Sequence, residues 1–363
     1  MKITSVEAIA VSIARSQPFT SSLGKQRSTI NAIVEVHTDE GITGIGEASS
    51  VWDRLGRGER DDIDGALAEL LVNQDPFCIN AINALLDERL HRSFPAKAAV
   101  EMALFDIAGK ALNTPVYNLL GGCVHERIPL SRSLSMGPSD ENAAQAEQLA
   151  DQGYTTLKMK IGRDPNEDFA NLEAIRKVLP GIILRVDANM GWSSAREAVR
   201  RIGELEQFDL EFVEQPLPAA DLEGMRFVRD HVGVPVMADE SIWRPNDAIA
   251  CMRAKAADIF NVYVSEAGGL TPASDIFSIA EAAHIPCMIG SMPEFGIGTA
   301  AQTHLAFAMR NIGFACDLNG CTYHKDDIIL ETLPIESGYI YPPTGPGLGI
   351  SIDRDKLEHY QIA

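Results

Sequence analysis

The feature of this sequence that most constrains its fold is an alternation of short apolar segments and helical segments, which starts near residue 128. Eight segments rich in apolar and β-branched residues are typical of strands: IPLSRSLS, TTLKMKIG, GIILRVDAN, LEFVEQP, VPVMADES, DIFNVYV, IPCMIGSM and GFACDL. Helical segments such as PNEDFANLEAIRKVL and SAREAVRRIGELEQF lie between them. Because parallel strands need helical crossovers, this rhythm predicts an α/β fold with a (β/α) barrel. A doubly wound sheet is the alternative, but no GxGxxG sequence opens a helix after a first strand.

The residues before this alternation have a different character. Two segments, ITSVEAIAVSIA and INAIVEVHTDEGITGIGEAS, alternate apolar and polar residues as strands do, and helix-like stretches follow them. Strands followed by helices predict a small α+β domain. We therefore expect three parts: an α+β domain over residues 1–125, a barrel over 126–345, and a tail over 346–363 that packs back on the first domain.

Charge and composition restrict the class of partner. The chain has 363 residues, of which 45% are hydrophobic and 23% charged, as in an ordinary soluble globular protein. Its formal net charge of −20 argues against nucleic acid or an anionic membrane as a partner, because both require a basic surface. The N-terminus does not resemble a signal peptide, no apolar run reaches the length of a membrane helix, and the cysteines form no CxxC pair. We expect a cytoplasmic protein with free thiols.

Ionisable residues end four consecutive predicted strands. Lys158 and Lys160 end the first of these, and the next three end in Asp187, Glu214 and Asp239. The intervals from the second lysine through the carboxylates are 27, 27 and 25 residues, so in a barrel all these side chains meet at the C-terminal mouth. Each could be an ordinary strand-end charge, but three converging carboxylates would repel strongly without a cation. Their oxygens suit Mg²⁺ or Mn²⁺ better than zinc.

The two lysines point to proton chemistry. Lys158 and Lys160 are two residues apart, so in a strand their side chains point the same way. Two ammonium groups on one face of an apolar strand are a poor structural choice. The pair becomes useful if each lysine lowers the pKa of the other, which would make a neutral amine available as a base. A cationic pair near a metal also suits a substrate carboxylate that gains negative charge.

A KxK strand followed by Asp, Glu and Asp on the next three strands resembles the enolase superfamily, in particular its muconate-lactonizing subgroup. Further segments carry this resemblance across the chain: GIGEAS, ALFDIAGKALNTPVYNLLGG, VDAN, EQP, ADES, GSMPEFGIGTA and GPGLGISID. The resemblance implies a modified (β/α)₇β TIM barrel with an N-terminal capping domain that the C-terminal tail completes. It also implies that segments 16–27 and 50–58 are cap loops that close over the substrate.

The resemblance further implies a role for each candidate residue. The three carboxylates would bind one Mg²⁺, Lys160 would be the acid or base at the α-carbon, and Lys158 would be the cation beside it. Asn189 and Glu240 would lie next to the metal ligands. Glu294, in SMPEFG, is a candidate substrate contact, and a structural role is the alternative.

Two departures from the subgroup bear on the reaction. Its sixth barrel strand usually carries a second lysine that faces the first across the substrate, whereas NVYVSEAGGL has Tyr263 there. A tyrosine, with an ordinary pKa near 10, is a poor base. The epimerases of the subgroup carry D-x-D on the last strand for a substrate ammonium group, whereas FACDLNG has Asp317 and then Asn319.

These features predict a metal-dependent isomerase or lyase that moves the proton α to the carboxylate of a small substrate through an enediolate. One-base cycloisomerisation or syn β-elimination of water fits the single strand-end base best. An amino-acid or dipeptide racemase or epimerase that uses Tyr263 in place of the second lysine is one alternative. A barrel that binds metal and ligand without turnover is another. The resemblance also predicts a homo-oligomer, often an octamer.

Overall fold

The computed structural model describes residues 1–51 and 56–363. Its N-terminal part is a three-stranded antiparallel sheet, with strands β1 (Ile3–Ser21), β2 (Gly24–Thr38) and β3 (Thr43–Ala48) in that order. β1 and β2 form a long hairpin that is paired from Ile3 with Thr38 to Ser21 with Gly24, so its turn lies far from the rest of the sheet.

The helices of this first domain are α1 (Arg57–Asp62), a π-helical turn (Ile63–Leu67), α2 (Ala68–Leu71), α3 (Ile79–Arg89), α4 (Phe94–Ala111) and α5 (Val116–Leu119). Of these, α1, the π-helical turn, α2 and α4 contact the sheet, and α3 and α5 pack against α4. α4 is buried along nearly its whole length, and it lies so close to β3 that Gly44 and Gly46 have no room for a side chain. A Cβ atom on Gly46 would lie 1.9 Å from the carbonyl oxygen of Ala99. The glycines of GITGIGEAS therefore permit this helix–sheet contact.

Seven parallel strands in chain order form the curled sheet of the second part. They are β5 (Ser131–Leu134), β6 (Thr156–Lys160), β7 (Ile183–Asp187), β8 (Leu210–Glu214), β9 (Val236–Ala238), β10 (Ile259–Val262) and β11 (Cys287–Ile289). A small sheet of β4 (Ile128–Pro129), β12 (Ile335–Glu336) and β13 (Tyr339–Ile340) lies beside them.

The eighth predicted strand, GFACDL, closes the barrel. Parallel bridges form on both sides, from Ile312, just before this segment, to Cys287 of β11 and from Cys316 to Leu130 next to β5. The amide of Asp317 also donates to the carbonyl of Ile289 at 2.8 Å. The eight-stranded capped barrel predicted from the sequence is thus confirmed.

Helices connect the strands of the barrel. They are α6 (Ser139–Asp151), α7 (Pro165–Val178), α8 (Ala195–Leu205), α9 (Leu222–Arg229), α10 (Pro245–Ala254), α11 (Val264–Ala267), α12 (Leu270–Ala282) and α13 (Gly296–Ala308), with 3₁₀ turns at Glu206–Phe208 and Gly320–Tyr323. The local sequence determines where several of these helices begin. The side chains of Asp164, Ser194 and Asp221 accept hydrogen bonds from backbone amides in the first turns of α7, α8 and α9. Such N-caps satisfy amides that have no partner within the helix.

The C-terminal residues return to the first domain. The amide of Leu348 donates to Oδ1 of Asp106 on α4 at 2.9 Å. After helix α14 (Arg354–Tyr360), the amide of Ile362 donates to the carbonyl of Ala10 on β1 at 2.8 Å. Among the described residues, no helix combines the length and the apolar character needed to span a membrane.

Candidate active site

Three carboxylates meet at the C-terminal end of the barrel strands. Asp187 and Glu214 end β7 and β8, where they are register partners, and Asp239 directly follows β9. All three are buried, and each offers an oxygen within 4.8 Å of the oxygens of the other two. Burial raises the pKa of Asp239 well above its ordinary value, and the charges of Glu240 and Glu214 raise it further.

The cluster has the properties of a site for a hard cation. Oδ1 of Asp239 is buried and receives no hydrogen bond from any residue within 1–51 or 56–363. Burial of carboxylates that repel one another is costly, and a bound dication would reduce that cost. The donor set consists of carboxylate oxygens only, which suits Mg²⁺ or Mn²⁺. Asp187, Glu214 and Asp239 therefore could hold a metal ion.

Lys158 is fixed among these acids. Its Nζ lies 2.6 Å from Oδ2 of Asp317, 3.1 Å from Oε2 of Glu214 and 3.8 Å from Oδ2 of Asp187. Burial by itself lowers the pKa of Lys158, but these carboxylates outweigh it and raise the pKa well above its ordinary value. These contacts favour the charged form of Lys158.

Lys160 ends β6 and lines the adjacent cavity. Its Nζ donates to Oδ2 of Asp187 and, at 2.9 Å, to Oδ1 of Asn189. Burial lowers the pKa of Lys160, the charge of Asp187 raises it and the charge of Lys158 lowers it, with a net increase. Lys158 therefore does lower the pKa of Lys160, as expected, but the carboxylates have the larger effect and the pKa rises overall.

Tyr263 follows β10 directly and belongs to the carboxylate cluster. Its hydroxyl donates to Oδ2 of Asp239 at 3.0 Å and accepts from Nδ2 of Asn261 at 3.0 Å. The same amide nitrogen donates to Oε1 of Glu214 at 2.9 Å. Burial raises the pKa of Tyr263 well above its ordinary value, and the charge of Asp239 adds to the increase. Tyr263 is thus a neutral hydrogen-bond donor here.

Asn189 and Glu240 lie beside the carboxylates, as the family resemblance implied. The backbone amide of Asn189 donates to Oδ1 of Asp187 at 2.8 Å, and its Nδ2 donates to Oε1 of Glu240 at 3.1 Å. Burial, together with the charge of Asp187, raises the pKa of Glu240 to about 8. Asn189 and Gln215 have positive φ angles of 42° and 35°, a strained conformation that often occurs at functional sites.

Asp317 and Asn319 are engaged within the protein. Oδ2 of Asp317 pairs with Lys158, and its Oδ1 accepts a hydrogen bond from Oγ of Ser131. Burial opposes ionisation of Asp317, but Lys158 outweighs it and lowers the pKa. Nδ2 of Asn319 donates to the carbonyl of Ser131 at 2.6 Å. The contacts of Asp317 occupy both of its oxygens, whereas Oδ1 of Asn319 is buried without a hydrogen-bond partner among the described residues.

Glu294 is a buried residue beside the site. Its oxygens accept hydrogen bonds from Oγ of Ser291 at 2.6 Å, from the amide of Met292 at 2.7 Å and from Nε2 of Gln302. Burial raises its pKa. These contacts fix the loop between β11 and α13, whose Ser291 and Met292 line the cavity.

The cavity of about 280 Å³ lies between the barrel mouth and the β1–β2 hairpin. Its floor includes Lys158, Lys160, Asp239 and Tyr263. Residues of segment 16–27 form the opposite wall together with Val51. Part of the second predicted cap loop, residues 52–55, lies outside the described residues.

Comparison with known families decides the identity of this fold and site. Residues 3–121 match the N-terminal domain of the mandelate racemase / muconate lactonizing enzyme family, and residues 141–356 match the enolase C-terminal domain-like family. The chain belongs to the mandelate racemase / muconate lactonizing enzyme family of the enolase superfamily. The family resemblance predicted from the motifs is confirmed.

Relatives within this family differ in their reactions. The N-succinyl-L-Arg/Lys racemase of Bacillus cereus is 33% identical, and the match covers 100% of this chain and 98% of that protein. A chloromuconate cycloisomerase of Cupriavidus necator is 31% identical, with 100% of both chains covered. The solved muconate lactonizing enzyme of Pseudomonas fluorescens, complexed with muconolactone, superposes with a TM-score of 0.96 at 30% identity and covers 99% of each chain. These relatives are enzymes, and overall similarity does not select one reaction.

Two residues that support the site in this family member escaped the sequence analysis. Oε1 of Gln215 accepts from the amides of Asp239 at 2.9 Å and Ser241 at 3.2 Å, and so fixes the backbone of the third carboxylate. Asn261 links Glu214 to Tyr263. Their positions in the sequence could have identified them. Gln215 follows Glu214 in EQP, and Asn261 is two residues before Tyr263, on the same strand face.

Proposed function

We propose that this protein is a metal-dependent enzyme that uses Lys160 as its one acid or base at the carbon α to a substrate carboxylate. The reaction class is one-base isomerisation of the cycloisomerase type, and syn β-elimination of water would use the same proton step. The observation that carries this proposal is that the residue on the wall opposite Lys160 is Tyr263, which is not a basic residue.

The barrel geometry supports that observation. Lys160 ends β6 and Tyr263 follows β10, and three strands separate them in either direction around the closed barrel. The two residues are thus on opposite walls of the mouth. A racemase that removes a proton on one face and returns it on the other needs a base on each wall. The pKa of Tyr263 is raised and its hydroxyl donates a hydrogen bond to Asp239, which argues against Tyr263 as the second base.

Each remaining residue has a part in this proposal. Lys158 stays charged beside Asp317 and Glu214, and its ammonium group would stabilise negative charge that develops on the substrate. Mg²⁺ or Mn²⁺ bound by the three carboxylates would supply further positive charge there and would offset the effect of Asp187 on the pKa of Lys160. Asn189 would hold Lys160 in position through its 2.9 Å hydrogen bond. The β1–β2 hairpin would exclude water from the cavity.

Proton exchange in D₂O tests the proposal. The protein with Mg²⁺ is incubated with muconates, hydroxy acids, proline analogues and N-acyl amino acids, and NMR follows exchange and configuration at the α-carbon. We expect exchange with retention of configuration for one class of substrate. Lys160→Ala should abolish exchange while Mg²⁺ affinity stays the same, whereas Lys177→Ala, an exposed lysine on α7, should leave both unchanged. Exchange that survives in Lys160→Ala would refute the assignment of the base.

A second candidate function, racemisation or epimerisation of an acylated amino acid, is favoured by the similarity to the Bacillus cereus racemase. The same experiment separates the two, because a racemase gives exchange with inversion. The pairing of Asp317 with Lys158 and Ser131 argues against a substrate with a free α-ammonium group.

A further inference from the structure

The hairpin of β1 and β2 that covers the cavity is basic in a strongly acidic chain. Residues 8–34 contain three cations, Arg15, Lys25 and Arg27, and no aspartate or glutamate, although the net charge of the whole chain is −20. Arg15 and Lys25 line the cavity. The carboxylates that line it, Asp239, Glu240 and Asp317, all belong to the barrel. The wall formed by the hairpin therefore attracts anions.

Arg15 is the unusual member of this wall. The residue is only 6% exposed, and its Nε is buried without a hydrogen-bond partner in the described part of the chain. The guanidinium group lies against two aromatic rings: Cζ is 5.1 Å from the ring centre of Phe19 and 5.2 Å from that of Tyr323. A buried guanidinium group normally has a carboxylate partner, because an unpaired buried charge is costly. Arg15 thus has donors available to a ligand in the cavity.

A second arginine lies on the same aromatic ring. Cζ of Arg132 is 4.3 Å from the ring centre of Tyr323, and its Nε is also buried without a hydrogen-bond partner among the described residues. A second cavity, of about 190 Å³, is lined by both arginines. It shares Arg15, Phe19, Ser133 and Tyr323 with the cavity of the candidate active site. The two spaces therefore adjoin at Arg15.

We propose that Arg15 determines substrate specificity by binding a second carboxylate of the substrate, with Arg132 adding positive charge behind Tyr323. This inference rests on the proposed function, which places the first carboxylate at the metal-binding end of the cavity. The planar guanidinium group of Arg15 presents paired N–H donors that match a carboxylate. The substrate is thus a dicarboxylate that spans the cavity from the barrel floor to the hairpin.

Two probes that differ in one group test this inference. N-succinylglycine ends in a carboxylate where N-butanoylglycine has a methyl group, and titration calorimetry of the Mg²⁺-loaded protein gives both affinities. We expect the succinyl compound to bind about tenfold to a hundredfold more tightly, as for a desolvated charge-assisted hydrogen bond. Arg15→Gln should remove this preference, and Arg15→Lys should keep part of it. Arg127→Gln is the matched control, because Arg127 also lies on a tyrosine ring, 4.0 Å from the centre of Tyr339, but is exposed and lines neither cavity.

The outcomes separate this inference from the proposed reaction. Equal affinities for the two probes in the unmodified protein, failure of both to bind, or a preference that persists in folded Arg15→Gln would each overturn it. If Arg15→Gln does not fold, the affinities of the unmodified protein for the two probes decide whether the inference holds. Proton exchange with N-succinyl and N-butanoyl alanine is measured in parallel. Exchange without a preference refutes only the role of Arg15. An Arg15-dependent preference without exchange supports that role, and absence of exchange across the whole substrate panel then refutes the proposed reaction.

Discussion

The hydroxyl of Tyr263 donates a hydrogen bond of 3.0 Å to Oδ2 of Asp239 and accepts one from Nδ2 of Asn261. The residue at the place of the expected second lysine is therefore a support for a candidate metal ligand. This role explains how a phenol can lie fully buried beside three carboxylates, since its hydrogen bonds are satisfied.

Tyr263→Phe should weaken Mg²⁺ binding by about tenfold, because the removed hydroxyl orients a ligand and stabilises its charge. The configuration of the product of proton exchange should not change. Calorimetric titration with Mg²⁺ and NMR in D₂O measure the two quantities. Tyr341→Phe, outside the cavity, serves as the control. If Tyr263→Phe abolished exchange and left Mg²⁺ affinity intact, Tyr263 would be a proton donor instead of a support.

Asp239→Asn should raise the melting temperature of the metal-free protein by a few degrees. The reason is that the buried charge of Asp239 is opposed by burial and by Glu240 and Glu214, and an amide can still accept the hydrogen bond of Tyr263. In the unmodified protein, Mg²⁺ at about a hundred times its dissociation constant should add about 2.7 kcal/mol of stability. This gain should be lost in Asp239→Asn.

Thermal unfolding with EDTA and with Mg²⁺ measures both effects of the Asp239 substitution. Glu204→Gln, an exposed carboxylate on α8, is the control and should change neither melting temperature. A lower melting temperature for metal-free Asp239→Asn would show that repulsion among the carboxylates does not limit the stability of the fold.

His304 should make the protein less stable in mild acid. It is fully buried on α13, its Nδ1 accepts from the amide of Tyr117 at 3.2 Å, and burial lowers its pKa from 6.5 to about 4. The unfolded chain then binds a proton in the window between these values and the folded protein does not, so stability is complete above pH 6.5 and falls as the pH decreases toward 4. At about pH 5 the loss is about 2 kcal/mol.

His304→Asn keeps an acceptor for Tyr117 and removes the titrating group. Urea unfolding at about pH 7 and about pH 5 should show that the difference in stability between the two pH values shrinks by about 2 kcal/mol. His91→Asn, at an exposed site, should leave that difference unchanged. An unchanged difference in His304→Asn would contradict the assignment.

Glu47 holds the first domain on the barrel. On β3, its Oε1 accepts from the amide of Phe295 and from Nδ2 of Asn31, and its Oε2 accepts from the amide of Gly298, each at 2.7 Å. Glu47→Ala would leave these buried donors unsatisfied at the start of α13 and should destabilise the protein by about 3 kcal/mol. Chemical denaturation tests this, with the exposed Glu69→Ala as control. A loss below about 1 kcal/mol would mean that water replaces the carboxylate.

The sequence by itself determined the barrel and the place of its charges. Strand period, helix caps and the spacing of Asp187, Glu214 and Asp239 are local properties, and parallel strands in chain order bring their ends to one mouth. The segment GFACDL was predictable as a strand for the same reason, although in the structure it contributes only bridges that close the barrel.

Only the tertiary structure decided what these charges do to one another. The pKa values of Lys158 and Lys160 depend on distances to Asp317 and Asp187, residues 159 and 27 positions away in the chain, and no pattern in the sequence gives those distances. Likewise, Arg15 is one of several arginines in the sequence, and its burial without a carboxylate follows from packing between the hairpin and Tyr323. Periodicity fixes which residues share a face, whereas electrostatics and desolvation depend on contacts between elements far apart in the chain.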